Sequence, residues 1–533
     1  MLSSSMTATA LFTTRLRVLG ASLVCGIFSL LSASSSASFA FSAERTSTAS
    51  AAANDVAVQK NLLAGIDAVY RMKFGDALTA FDAAITEHPA EPRPYFFRSS
   101  VFLWRYMFDY SEPDARRFWS ASEKTLQVAD AAQKANPDNL HPQVIRGAMY
   151  AFRAMANFKA ENFVKGTLDM RTCYNELSDV LKKDPTQYDA YLGLGMFHFV
   201  MGALPKPVRM MANLTGMKGD CALGLRELET AAQKSLYASN DAKMCLAMLH
   251  IYFNKDYTTG LKYLNEMLTR YPDNIPMLYT LGNVQFFLKK MPLAIEQYKT
   301  VTRLADTNFR TFTTFAQYRL GEAYFRLNDF AQAKPYFQRY FNAPFERSFR
   351  ASSLLRLAMI LEIEGKRDEA VKGYRKAAAM TLFTEPEDRY AIRKAKYLLQ
   401  VPMDAAQVQL VKGVNAVESA RYAEAEALLT PLAASATLAT DVRAEAWYAL
   451  GEAARRERRN DDALKRYQQA VEAAPQHEKW IPPFAYLRMA EIYRASGKET
   501  LAQAFIQKTR VFSGYDFEEQ ILFALERDIS MLK

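Results

Sequence analysis

The sequence predicts an all-α protein, a solenoid of stacked helical hairpins closed by a C-terminal capping helix. Three observations carry this expectation. Half of the 533 residues are hydrophobic, and the apolar positions are filled mainly by Ala, Leu, Tyr and Phe. Runs of β-branched residues are scarce, which favours helices over strands. A Leu-Gly pair, followed at fixed offsets by an aromatic, an alanine and a second aromatic, recurs along the chain. Proline, or an Asn, Asp or Gly turn, interrupts the pattern where a helix has to stop and reverse.

The elements follow in order. Arg15 and Arg17 precede an apolar run from Val18 to Leu31 and a small-residue tract ending at Ala40. This is the pattern of a secretory signal peptide cleaved after Ala40, and the run falls short of the roughly 20 apolar residues of a bilayer span. An uncleaved N-terminal anchor is the alternative. Export points to a bacterial periplasm. Residues 41–56 are small and polar and predict a flexible leader. An N-terminal array is then expected over 57–400. Its first repeat carries Gly65, Ala77, Phe81, Ala84 and Pro89. Gly147, Cys173 and Pro185 mark a second, and Gly195 opens a third. Met248, Gly260, Leu264 and Pro272 follow, then Leu281, Gly282, Ala294 and Tyr298, then Leu320, Gly321, Tyr324, Ala333 and Phe337, and then Ala358, Ala370, Tyr374 and Ala377. An unpaired helix between Pro386 and Pro402 suggests a domain boundary near Val401. A second array over 401–533 holds Gly413, Ala425 and Leu429, the sharpest copy (Trp447, Leu450, Gly451, Ala463, Tyr467, Ala470, Pro475), and Ala490, Ala502 and Ile506. A last amphipathic helix from Asp516 to Leu532 caps the exposed apolar end.

The spacing has a physical reading. A small residue such as Gly282 or Ala294 lets two backbones cross closely, while Leu281 and Tyr298 fill the space beside the crossing. A lone hairpin cannot bury its apolar face, so neighbours must stack. The pattern Trp447, Leu450, Gly451, then Ala463, Tyr467, Ala470 and Pro475, resembles the tetratricopeptide repeat. That resemblance covers nearly everything after Val56 and implies a scaffold rather than any particular partner.

One stretch breaks the rhythm: "GALPKPVRMMANLTGMKGD", residues 202–220. It falls inside one repeat, between a helix ending near Met201 and one beginning near Cys221, so it is read as an insertion into a hairpin turn. Asp220 is the expected N-cap of the returning helix. Val208, Met210, Met211, Leu214 and Met217 give it an apolar face ringed by Lys206, Arg209 and Lys218, suited to lipid or a partner. Leu204-Pro205, Gly216, Gly219-Asp220 and Gly224-Leu225, within Tyr191–Ala232, resemble the inclusion-body clearance protein family of tetratricopeptide proteins. The resemblance implies a shared helical scaffold with a built-in amphipathic element. Those relatives work in the cytosol or on mitochondria, whereas this chain begins with an export pattern.

Chemistry is sparsely encoded. The five histidines show no metal-ligand spacing, and there is no phosphate loop, no nucleophile elbow and no His-Glu-x-x-His helix. No catalytic, cofactor or metal-binding residue is assigned, and a non-enzyme is expected. The formal charge of +10 is dispersed among acidic neighbours, as in "RRERRNDDALKR", which argues against a nucleic-acid stripe. Three cysteines follow Ala40 without a Cys-x-x-Cys pair, so this is no disulfide scaffold, and Cys173 and Cys245 fall on faces that read as buried.

Binding is the better-supported role. In tetratricopeptide proteins, which this chain resembles, the inner wall is formed mainly by the first helix of each hairpin. Counted from the repeat register, that wall presents Phe96, Trp104, Phe199, Tyr252, Phe253, Tyr279, Asn283, Phe286, Phe287, Tyr318, Glu322, Phe325 and Arg326. These predict an aromatic groove for a protein or peptide partner. If the superhelix is tightly wound, the same rings serve as core. Tyr279 and Tyr318 stand where a carboxylate clamp would place lysine, so a carboxylate-terminal tail is disfavoured. Peripheral membrane contact through 205–219 is the alternative function.

Overall fold

The computed structural model describes residues 49–109, 111–204, 206–214, 216–305, 309–343, 348–381 and 385–531. The signal-peptide expectation over residues 1–40 lies outside them. The described residues are helical throughout their regular elements, as the sequence predicts. In chain order the helices are α1 (Ala49–Tyr70), α2 (Phe74–Glu87), α3 (Pro92–Asp109), α4 (Glu112–Ala135), α5 (His141–Lys159), α6 (Phe163–Lys183), α7 (Ala190–Ala203), α8 (Lys206–Leu214), α9 (Cys221–Lys234), α10 (Ser239–Met248), α11 (Tyr257–Arg270), α12 (Ile275–Phe287) and α13 (Met291–Leu304). They continue as α14 (Arg310–Arg326), α15 (Phe330–Phe341), α16 (Arg350–Ile363), α17 (Arg367–Ala378), α18 (Pro386–Gln400), α19 (Ala405–Glu418), α20 (Tyr422–Ala434), α21 (Thr440–Arg456), α22 (Asn460–Glu472), α23 (Ile481–Ala495), α24 (Glu499–Thr509) and α25 (Glu518–Met531). A π-helical turn, Leu249–Asn254, extends α10. No feature of the repeat pattern announces it.

Two expectations are corrected. Helix α1 already begins at Ala49, because "ASAAAND" is rich in the best helix former, so the leader expected through residue 56 is helical from Ala49 onward. The chain also divides elsewhere than near Val401. One compact unit runs through Leu281 and includes Arg303–Phe312; the other holds Gly282–Thr302 and everything from Thr313. Packing is continuous across Val401, since Met403 and Val411 lie against a buried cluster that reaches from Tyr318 to Leu398. The Glu362 carboxylate also accepts the Met403 N–H at 2.9 Å.

Among the described residues, eight hairpins repeat one local solution. The first helix ends in a residue with positive φ: Met72, Glu161, Lys289, Asn328, Gly365, Ala420, Arg458 or Gly497. At Ala420 the signature hydrogen bonds are complete, with Arg421 N–H to Ala416 O at 2.8 Å and Ala420 N–H to Val417 O at 3.2 Å. This is the Schellman closure, which uses the carbonyls the helix end leaves open. Beyond the turn, the small residue of the first helix meets a large residue of the second. A Cβ on Gly451 would stand 2.7 Å from the buried Tyr467 ring.

Within the first unit the array curls back on itself. The buried rings of Tyr70 and Tyr271 stack with centroids 4.7 Å apart, and the Asn274 amide donates to Tyr70 O at 2.9 Å. In the second unit, the turn after α12 and the end of α14 meet α19 through Lys289 and Arg326, and α18 meets the segments before α23 and α25 through Arg393.

Candidate functional site

The insertion sits where the sequence places it, between α7 and α9, and most of it forms the short helix α8. Its two ends are clamped by close backbone contacts. A Cβ on Gly219 would stand 2.1 Å from Gly202 N, and one on Gly224 only 2.6 Å from Gly195 O. Asp220 caps α9 by accepting the Leu223 N–H at 2.9 Å, and its own N–H donates to His198 O at 3.0 Å. His198 Nδ1 lies 2.6 Å from Glu227 Oε2. Of the apolar face proposed for the insertion, Met210 and Leu214 are 60% and 89% exposed, and Met217 is half-buried. The side chains of Val208 and Met211 lie outside the described residues.

The predicted aromatic groove is largely core. In the first unit Phe96 stacks on Phe152 at 4.9 Å, Trp104 meets Phe152 edge-on at 5.7 Å, and Phe199 packs edge-on against Phe253 at 5.0 Å. Phe96, Trp104 and Phe199 are buried, while Tyr252, Phe253 and Tyr279 are half-buried. In the second unit Phe286 lies under the Arg326 guanidinium at 4.2 Å, Tyr318 stacks on Phe349 at 4.6 Å, and Phe325 lies under Arg356 at 4.5 Å. Asn283 accepts from the Tyr298 hydroxyl at 2.8 Å, and the buried Glu322 pairs with Arg356 at 2.9 Å. Phe287 is half-buried. The correction has two causes: Phe96 and Trp104 are covered from a neighbouring first helix, while Asn283, Tyr318 and Phe325 also meet the second helix of their own hairpin.

What the second unit leaves open is a cavity of about 190 Å³. Tyr390, Lys394 and Tyr397 reach it from α18, Gln407 and Glu418 from α19, and Asp441 and Glu445 from α21. His477 and Glu478 close another side, and His477 is exposed, so the cavity reaches the surface there. Of the groove residues predicted from sequence, Arg326 alone is among its lining. The rest were missed, although Tyr390, Lys394 and Tyr397 share a face of the helix that stood out as unpaired.

The cavity wall is an ionic lattice. Glu478 takes Lys394 at 2.7 Å and Arg393 at 2.6 Å, and Arg393 also reaches Asp516 at 2.6 Å. Glu418 takes Arg326 at 2.8 Å and Lys289 at 3.0 Å. Asp441 accepts the backbone N–H groups of His477 and Glu478 at 2.7 and 2.8 Å. Burial opposes ionisation of Glu478, but Lys394 and Arg393 outweigh it and hold the carboxyl below its ordinary range. Glu445 goes the other way. Burial raises it from 4.5 to about 7, with Lys394 pulling down and Glu478 pushing up. Among the described residues no three His, Cys, Asp or Glu side chains are grouped to hold a metal ion.

Comparison with known proteins agrees with this architecture. A tetratricopeptide repeat model matches residues 410–478, and the model described as Iml2/Tetratricopeptide repeat protein 39 matches residues 189–412, a segment that contains the insertion. This chain is a tetratricopeptide-repeat protein related to the Iml2/TPR39 family. A curated relative, the Caenorhabditis elegans tetratricopeptide repeat protein ttc-39B, is 28% identical in an alignment of 196 residues that covers 33% of this chain. The match spans about a third, 34%, of that relative's length. Among solved structures, yeast Tom70 aligns over 85% of this chain and 99% of its own, at 13% identity and a TM-score of 0.28. A human IFIT1 dimer with m7Gppp-AAAA aligns over 86% of this chain and 95% of its own, at 14% identity and a TM-score of 0.33. At these TM-scores neither superposition carries an argument about this chain.

Proposed function

We propose that the protein is a non-catalytic helical scaffold that holds a protein or peptide partner, and that the second unit's cavity receives part of that partner. The supporting observation is the cavity itself: a preformed recess walled by α18, α19 and α21 and held rigid by ion pairs. Rigid walls with few exposed charges lower the ordering cost of binding. Replacement of Phe286 or Tyr318 would not test this reading, because both are core. Gln407→Trp would, by filling the cavity from its half-buried side. Peptides selected on the wild-type protein from a random display library should lose binding to Gln407→Trp but keep it in Gln407→Ala, which gives up the same capping hydrogen bond from Asp404 N–H. Peptides that bind wild type and Gln407→Trp equally would sink the assignment.

A second reading is peripheral membrane contact through α8. It is favoured by Met210 and Leu214, exposed one helical turn apart on the same face. Among the described residues no helix is long and apolar enough to cross a membrane. Flotation with anionic vesicles should be lost in a Met210→Ser, Leu214→Ser double variant; flotation that survives it would exclude α8 as the contact. Export belongs to the same proposal and is supported by the sequence pattern of Arg15 to Ala40 alone. N-terminal sequencing of the mature protein should begin at Phe41.

A further inference from the structure

We propose that the second unit's cavity receives one cationic side chain, a lysine or arginine of the partner peptide, with Glu445 as its counter-ion. This rests on the reading of the cavity as the partner site. The lining cations are already matched: Lys394 by Glu478, Arg326 by Glu418, and Arg356 by Glu322. Glu445, on α21, lines the cavity yet makes no hydrogen bond or ion pair with any of the described residues. A partly buried ionised carboxylate without a partner is destabilised, and an incoming cation removes that cost. An incoming anion would find every cation taken and would face Glu445. An apolar group would leave Glu445 unmatched.

Size selects a side chain over a larger ligand. The volume, about 190 Å³, falls below the roughly 300–1,000 Å³ of sites that enclose drug-sized molecules. Binding should weaken on acidification as Glu445 takes up a proton. The charged and titratable groups that line the cavity with it or act on it are Tyr390, Arg393, Lys394 and Tyr397 on α18, Glu418 on α19, Arg326 on α14, Arg356 on α16, Asp441 on its own helix, and His477 and Glu478 before α23. A pH profile alone does not separate Glu445 from these neighbours, and substitutions must.

The test uses the immobilised full chain and random dodecapeptide pools that share a fixed central residue: lysine, arginine, norleucine or glutamate. At pH 8 the lysine or arginine pool should be retained about tenfold more strongly than the norleucine pool, a difference of about 1.4 kcal/mol. Glu445→Gln should abolish that preference without lowering the melting temperature, Glu445→Asp should keep part of it, and His477→Asn should leave it intact. Equal retention of the norleucine or glutamate pool overturns the cationic occupant while leaving the cavity as a peptide site. No retention of any pool overturns both readings. Labelled spermidine, retained as strongly as the lysine pool, overturns the peptide in favour of a free polyamine.

Discussion

At the scale of single residues, the hairpin turns carry strain that glycine would relieve. Gly365 and Gly497 occupy the left-handed position without a Cβ, but Ala420 holds the same conformation at φ 58°. A left-handed alanine costs about 1 kcal/mol, part of which glycine returns as chain entropy in the unfolded state. Ala420→Gly should therefore stabilise the second unit by about 0.5–1 kcal/mol, read as a higher urea midpoint with an unchanged slope. The opposite limit is Gly224. Its missing Cβ would meet the backbone of Gly195 and Phe199 at 2.6 Å, and backbone cannot turn aside as a side chain can. Gly224→Ala should cost about 2–3 kcal/mol and loosen the α7–α9 hairpin, visible as faster amide exchange there.

At the scale of elements, α21 places Glu445 where its burial couples folding to pH. The folded carboxyl, raised to about 7 from 4.5, binds its proton more tightly than the unfolded one. Stability on this account declines as pH rises from about 4.5 through 7, and the penalty is complete above that window. Glu445→Gln should abolish the slope. It should stabilise the partner-free protein at pH 8 by on the order of 1–3 kcal/mol, with little effect near pH 4, as thermal melts across that range would show. A wild-type slope retained by the variant would assign it to another group. The same helix shows the contrast: burial also opposes ionisation of Glu452, but Arg488 and Arg455 outweigh it and hold the carboxyl at about 2.

At the scale of the whole molecule, a repeat array needs a cap. Ile521 and Leu525 of α25 cover Leu487, Ala490 and Ile506, the apolar face left by the last hairpin. Truncation after Gly514 should expose that face, lower the melting temperature of the second unit and raise light scattering on heating; a truncated chain that melts and scatters like the full one would show the cap to be dispensable.

The hairpins, their turns, the insertion and the cap were legible in the sequence because each depends on neighbours in the chain. Gly451 announces its hairpin because Tyr467 always follows at the interval that one turn imposes, and Asp220 announces α9 because a cap acts on the next three residues. The fate of the helix-A aromatics was not legible. Phe96 and Tyr318 have the pattern of groove residues, yet Phe96 is buried against Phe152 of α5 and Tyr318 against Tyr340 and Phe349. The cavity is equally a product of closure: Lys394 meets Glu478, and Lys289 meets Glu418, across intervals that no periodicity encodes. The sequence by itself determined the repeating hairpin, whose contacts are local and set by residue size at fixed spacing. Only the tertiary structure decided which surfaces remain open and which carboxylate is left without a partner, because both depend on how many small rotations between hairpins add up.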